Sequence, residues 1–321
     1  MRTRAAVSLF LVLAAVESFA QTPGTPAERQ PIGAREIARA QDQLAARRDF
    51  NATATKLRSA RLREAIRDFQ KNDFRVDPLH LTFGDYLTAS GHYFVAMHFD
   101  AALPADVTKA TLFGLVDNGS GSEFWSLEEQ VTLLRAPDGT AYYEQSFAFP
   151  PGNRNATFGF AVKGEPVAMA GAPMLLPGIE KGARRVSRLL VSNQVFPLYK
   201  PPLADAPFAF GGIKVVPKGD RTFHRADEVW IFYEAQNPGV DANGAPNLAT
   251  TVTLEGNGTT KKGLAGDAQA VPLKGVPGHY GVGATVDVSR LKPGEYTVRV
   301  SVADAIAQQQ YELVEKIAIV D

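Results

Sequence analysis

Along residues 291–304 apolar and polar positions alternate without a break: Tyr296, Val298, Val300 and Val302 fall on one face, and Thr297, Arg299, Ser301 and Ala303 on the other. A period of two predicts a half-buried strand, and β-branched residues suit a pleated surface with one face on a core. Pro293-Gly294 before it predicts a turn, because proline fixes φ and glycine takes φ > 0 without steric cost. The same device appears at Phe149-Pro150-Pro151-Gly152, which leads into a strand over 156–162. The chain reads as one β unit used twice.

The pattern extends to most of the sequence beyond Pro78. Tyr93, Val95, Met97 and Phe99 alternate with His92, Phe94, Ala96 and His98, and further strands are predicted over 79–83, 111–116, 129–134, 142–149, 157–162 and 186–191. Turn signals such as Asp117-Asn118-Gly119, Pro137-Asp138-Gly139 and Pro177-Gly178 separate them, which describes a β-sandwich. Proline density over 197–207 predicts a linker, after which strand signals resume at 208–210, 213–216, 229–236, 249–254, 280–288, 296–302 and 311–320. In 229–236 both faces begin apolar, Val229, Ile231 and Tyr233 against Trp230 and Phe232, so this strand is expected to be central and covered on its second face by a neighbouring loop or domain.

Before Pro78 the pattern is helical. Residues 34–73 lack proline and glycine, and Leu62, Ile66 and Phe69 keep the i, i+4, i+7 spacing of one helix face, with a break expected near Asn51-Ala52-Thr53. The arginines of this stretch could meet an acidic partner, but the interspersed acidic residues favour a solvated face. The predicted fold class is therefore all-β: two β-sandwich domains, 78–196 and 208–321, joined by a Pro-rich linker over 197–207 and preceded by a helical arm over 34–77. The fragment 208–321 is expected to fold independently.

Composition adds an address. Arg2 and Arg4 precede an apolar run from Ala5 to Val16, and Ser18-Phe19-Ala20 supplies small residues for a signal peptidase, so residues 1–20 read as a signal peptide cut after Ala20 and 21–33 as a flexible leader. Thirty-four Lys+Arg balance thirty-four Asp+Glu, giving no overall field for nucleic acid. The absence of cysteine removes disulfides, thiolate metal sites and thiol nucleophiles, and fits a bacterial periplasm or exterior. No later apolar run is long enough to span a membrane.

Chemistry-bearing motifs are sparse. Of the five histidines, His92 and His98 share a strand face but lie about 20 Å apart at ~3.3 Å per residue, too far for one metal, and read as surface or boundary residues. Ser120, in Asn118-Gly119-Ser120-Gly121-Ser122, lacks the nucleophile-elbow spacing. Asp241-Ala242-Asn243-Gly244 resembles the start of a calcium loop but lacks the distal glutamate, so a plain turn is the better reading. No catalytic, cofactor or metal residues are assigned. The candidate binding residues are aromatic: Phe124, Trp125, Tyr142 and Tyr143, where adjacent rings point to opposite faces of a strand and one of each pair could stack on a sugar or a partner side chain. Core packing is the competing reading.

The stretches Leu79-His-Leu-Thr-Phe-Gly-Asp-Tyr-Leu87, Ser187-Arg-Leu-Leu-Val-Ser192, Phe208 to Phe223, Asp227-Glu-Val-Trp-Ile-Phe-Tyr-Glu-Ala-Gln-Asn-Pro238, Lys274-Gly-Val-Pro-Gly-His-Tyr280 and Leu291-Lys-Pro-Gly-Glu-Tyr296 together resemble a group of secreted bacterial proteins found chiefly in acidobacterial genomes. The resemblance covers residues 78–321 and implies tandem immunoglobulin-like sandwiches and export. It transfers no activity and no functional residue. The expected function is that of an exported, non-catalytic binding or structural module of the envelope, with an envelope protein or glycan as partner and no cofactor. A carbohydrate-binding accessory protein is the alternative, and an enzyme of unrecognised type the third reading.

Overall fold

The computed structural model describes residues 56–321 except 73, 88–91, 120, 179, 181, 200–205, 211, 263–267 and 274–277. The expected signal peptide, the leader and the first part of the helical arm lie outside the described residues.

The chain is all-β, with a single helix among the described residues. Two sheets enclose the first core. One orders Asp77–Pro78, Glu165–Leu176, Gly152–Val162, Lys109–Asp117 and Glu123–Thr132; the other orders His80–Leu87, Tyr93–Ala101, Ala141–Phe149 and Leu134–Arg135. Tyr93, Val95, Met97 and Phe99 point inward as their alternation requires, meeting Phe158 and Phe160 from the opposite sheet. Full burial of such side chains stabilises by about 1.5–3 kcal/mol each.

The helix Ala60–Gln70 covers the outside of the first of these sheets, burying Leu62, Ala65 and Ile66 against Phe113, Ala161 and Met169. Its start is fixed twice. The Ser59 hydroxyl accepts from Leu62 N at 3.3 Å, and the Glu128 carboxylate accepts from Arg58 N and Ser59 N at 2.7 and 2.9 Å. Arg61 and Arg63 pair with Glu165 and Glu123, so two of the arginines on its polar face meet acids of the same chain.

The second core lies between another two sheets. Arg185–Val186 and Leu190–Ser192 both pair with Val229–Gln236, followed by His279–Val286 and Gln269–Pro272; the facing sheet orders Thr222–His224, Gln309–Val320, Gly294–Asp304, Leu248–Gly256 and Thr259–Lys262. Tyr296, Val298, Val300 and Val302 are buried there, while Arg299 on the other face pairs with Glu255 and Glu312. Both Pro-Gly turns use the same backbone, with φ of +148° at Gly152 and +144° at Gly294, which L side chains rarely adopt.

The boundary between the halves differs from the sequence reading. Residues 185–192, assigned there to the first sandwich, hydrogen-bond to the second: Leu190, Val191 and Ser192 oppose Phe232, Ile231 and Trp230. The reason is that Leu189-Leu190-Val191 is apolar on both faces and needs cover on both. Leu189 and Val191 enter the second core, whereas Leu190 enters a separate cluster. That cluster lies between the sandwiches. It gathers Tyr86, Phe94 and Ala96 from the outer face of the first, Trp230 and Phe232 from the outer face of the second, and Phe208, Phe210, Ile213 and Val215 from the intervening segment. Gln194–Pro197, Ile213–Val216 and Ala209–Phe210 form a small sheet of their own within that segment.

Candidate functional site

Strand Tyr93–Ala101 is central in its sheet, and all nine of its residues are buried. Its inward face is wholly core, but its outward face changes chemistry along its length, from Phe94 and Ala96 to His98 and Asp100. Period two keeps the latter two side chains on one face. Register then supplies their neighbours: His80 stands opposite Asp100 on one flanking strand, and Glu144 opposite His98 on the other.

The resulting cluster is a ladder of alternating charge types. His80 Nδ1 lies 3.1 Å from Asp100 Oδ2, His98 Nε2 3.4 Å from Asp100 Oδ1, and His98 Nδ1 3.1 Å from Glu144 Oε1. Lys214, from the small intervening sheet, closes the ladder on Glu144 Oε2 and also donates to the Pro207 carbonyl at 2.6 Å. His98 is 2% exposed, with the Tyr142 ring stacked on it at 5.2 Å and the Phe208 ring edge-on at 6.4 Å. Against the expectation of a surface or boundary residue, His98 is fully enclosed, because the second half of the molecule lies over this face.

Burial alone drives the His98 pKa down, but its hydrogen bonds and charge interactions with Asp100 and Glu144 outweigh burial and hold it above the ordinary value. Asp100 is the converse case: burial raises it, and the two histidines bring it below the usual carboxylate range. His80 is raised, chiefly by its bond to Asp100, and Lys214 is lowered by burial against the opposing pull of Glu144.

Beside the ladder is a pocket bordered by His98, Asp100, Asp138, Tyr142, Asn193 and Lys218. Lys218 reaches across it to Asp138 at 3.1 Å. Gly219 seals one wall so closely that a Cβ there would lie 1.8 Å from Asp100 Oδ1. The pocket is wedged between the two halves.

A second polar contact joins the halves at the far end of the same sheet. Asp85 accepts from the Arg185 guanidinium at 2.6 Å and from Arg188 N at 3.1 Å. The two guanidinium groups lie over the rings of Tyr93 and Phe83 at 5.1 and 4.4 Å. Nearby, within the second half, His279 Nδ1 lies 2.5 Å from the buried Glu234 carboxylate, which also accepts from Gln236 at 2.9 Å.

The sequence-selected aromatics do not converge. Phe124 is 42% exposed and carries the Arg154 guanidinium over its ring at 3.7 Å. Trp125 turns to the core, edge-on to Phe147 at 4.7 Å and to Phe149 at 5.6 Å, and Tyr143 packs on the same core. Tyr142 faces the other way and joins the His98 cluster. The Asp241 loop is a turn closed on itself, the carboxylate accepting from Asn243 N and Ala245 N at 2.8 and 2.9 Å.

Glu144, Lys214 and Gly219 escape a sequence reading because they are brought together by register and by the packing of the two halves. One signal does exist. The outward face of 93–101 begins apolar and ends with His98 and Asp100, a mixture that a solvent-facing sheet does not need. Among the described residues no group of three or more His, Cys, Asp or Glu is placed to hold a metal ion, and no helix is long and apolar enough to cross a membrane. No protein-family model matches the chain, and no curated protein sequence matches it.

Proposed function

We propose that this chain is a non-catalytic binding or structural module in which two immunoglobulin-like sandwiches are held in one fixed mutual orientation, exported to the periplasm or beyond. The observation that carries this reading is the use made of the reactive side chains. His98, Asp100, Glu144 and Lys214 are spent on one another, under Tyr142 and Phe208, with Lys214 reaching Glu144 across the junction. With the aromatic cluster and the Asp85–Arg185 pair, they make three different kinds of contact between the same two bodies. Breaking a buried pair by removing one partner costs about 3–5 kcal/mol, so such a junction resists hinge motion. The leader-like N-terminus and the resemblance to secreted bacterial proteins support export.

The chain has no native cysteine, so spin labels can be placed without background. Labels at Thr132→Cys and Thr251→Cys, one exposed position on each sandwich, should give one narrow distance distribution by pulsed electron resonance; a broad one refutes the fixed junction. N-terminal sequencing of the protein from an envelope fraction should begin at Gln21, and an intact Met1 in the cytoplasm refutes export.

The carbohydrate-binding alternative keeps one specific support. Phe124 is a part-exposed ring backed by the buried Arg154 guanidinium at 3.7 Å, and an exposed ring can stack on a sugar. Glycan-array binding that is lost in Phe124→Ala would favour that reading.

A further inference from the structure

We propose that the junction between the sandwiches is a proton-dependent clamp, in which a doubly protonated His98 bridges Asp100 and Glu144 and so ties the first sandwich to Lys214 of the intervening sheet. This extends the fixed-junction reading by assigning it a pH dependence.

Both ring nitrogens of His98 face carboxylate oxygens, at 3.1 Å on the Glu144 side and 3.4 Å on the Asp100 side. An ionised carboxylate offers only lone pairs, and a neutral imidazole has one N–H. A neutral His98 would therefore point a lone pair at a carboxylate in a site with no room to turn away, held between the Tyr142 and Phe208 rings. The remaining escape is to place the proton on a carboxylate. That would forfeit the charge pairing of Lys214 with Glu144 and the contact of His80 with Asp100. The imidazolium alone turns an N–H toward both, hydrogen-bonded to Glu144 and, at 3.4 Å, in charge contact with an Asp100 oxygen that has no hydrogen-bond partner.

The surroundings are otherwise close to neutral. The strand His80–Leu87 contributes His80 and the uncharged Thr82; the strand Ala141–Phe149 contributes Glu144 and Tyr142; the covering segment contributes Lys214 and, further out, Lys218 with its own partners Asp138 and Asp220. With His98 charged, the buried ladder of Asp100, His98, Glu144 and Lys214 sums to zero. Once the part-exposed His80 is neutral, deprotonation of His98 leaves these four groups at one net negative charge inside the junction, which desolvation penalises.

The raised His98 pKa agrees in direction and fixes the sign. A folded-state value above the unfolded one gives stability that is complete below the unfolded pKa of about 6.5 and is lost as pH climbs through the folded value. The clamp is thus firm below about pH 6.5 and weakens as pH rises through the raised folded-state value.

Nitrogen-15 NMR of the histidine-labelled chain, titrated from about pH 6 to about pH 9, reads the ring directly. His98 should show two protonated nitrogens at pH values where an ordinary imidazole is neutral; one bare nitrogen at about pH 7 overturns the proposal, even if the spin-label distances stay narrow. Thermal unfolding over the same range should show a larger alkaline loss in the wild type than in His98→Gln, because the other histidines titrate in both; identical pH slopes also overturn it. Should His98→Gln fail to fold, Lys214→Met serves instead. Removing that cation should move His98 deprotonation upward by about one pH unit, and no movement would show that Lys214 is not part of the clamp.

Discussion

Removing residues 182–207 from the second half should abolish its folding. A fragment 208–321 keeps both main sheets in name but loses Leu189, Leu190 and Val191, which are 5%, 1% and 4% exposed in the intact chain. At about 1.5–3 kcal/mol per fully buried aliphatic side chain, the three contribute roughly 5–9 kcal/mol, an upper estimate because the unfolded chain already buries part of that surface. Whole-domain stability is about 5–15 kcal/mol, so the loss is comparable to all of it. The same truncation strips the Leu190–Ser192 partner from Val229–Gln236 and exposes one edge of a strand that is buried along its full length. Circular dichroism melts of fragments 182–321 and 208–321 decide the matter, since both lack the first sandwich and differ only in this segment. The longer fragment should unfold cooperatively and the shorter should not. Equal midpoints and equal steepness would refute the reasoning and restore the boundary at the proline-rich segment.

Two pairs of substitutions test the packing. Val300→Ala should cost about 1–3 kcal/mol in urea unfolding, because Val300 is fully buried opposite Val252, whereas Ser301→Ala on the exposed face should stay within about 0.5 kcal/mol; equal losses would contradict the one-faced burial of this strand. Gly114→Ala should lower the thermal midpoint, since its Cβ would lie 2.2 Å from Cδ1 of the fully buried Phe158 ring and overpacking costs about 1–3 kcal/mol. Gly178→Ala, with open space around it, should leave the midpoint unchanged.

The strands were legible in the sequence because period-two alternation is a local property. Tyr296 to Val302 and Tyr93 to Phe99 point where their spacing says they must, and the two-faced apolarity of 229–236 correctly announced cover on its second side by Trp230 and Phe232 packing into the junction. The assignment of 185–192 to a sheet was not legible. Its apolar run states that cover is needed and does not state from which half. The His98 ladder is further from reach, because it depends on two cross-strand registers and on Lys214 arriving from a distant segment. Aromatic residues, judged by type, suggested ligand contact, yet Trp125 and Tyr143 serve the core, and Tyr142 covers a buried imidazole.

The position of strand Tyr93–Ala101 has a consequence for how the molecule breathes. Flanked by a strand on each edge, with the first core on one face and the junction on the other, it borders open space at the pocket beside His98 and Asp100. Amide protons in the part of the strand away from that pocket should therefore exchange with solvent only on large-scale opening, and their protection approaches the global free energy. The segment that shields it from outside, 208–219, belongs to the other half of the chain. Opening of this face of the first sandwich therefore requires release of that segment, across a boundary that composition alone marks as a linker.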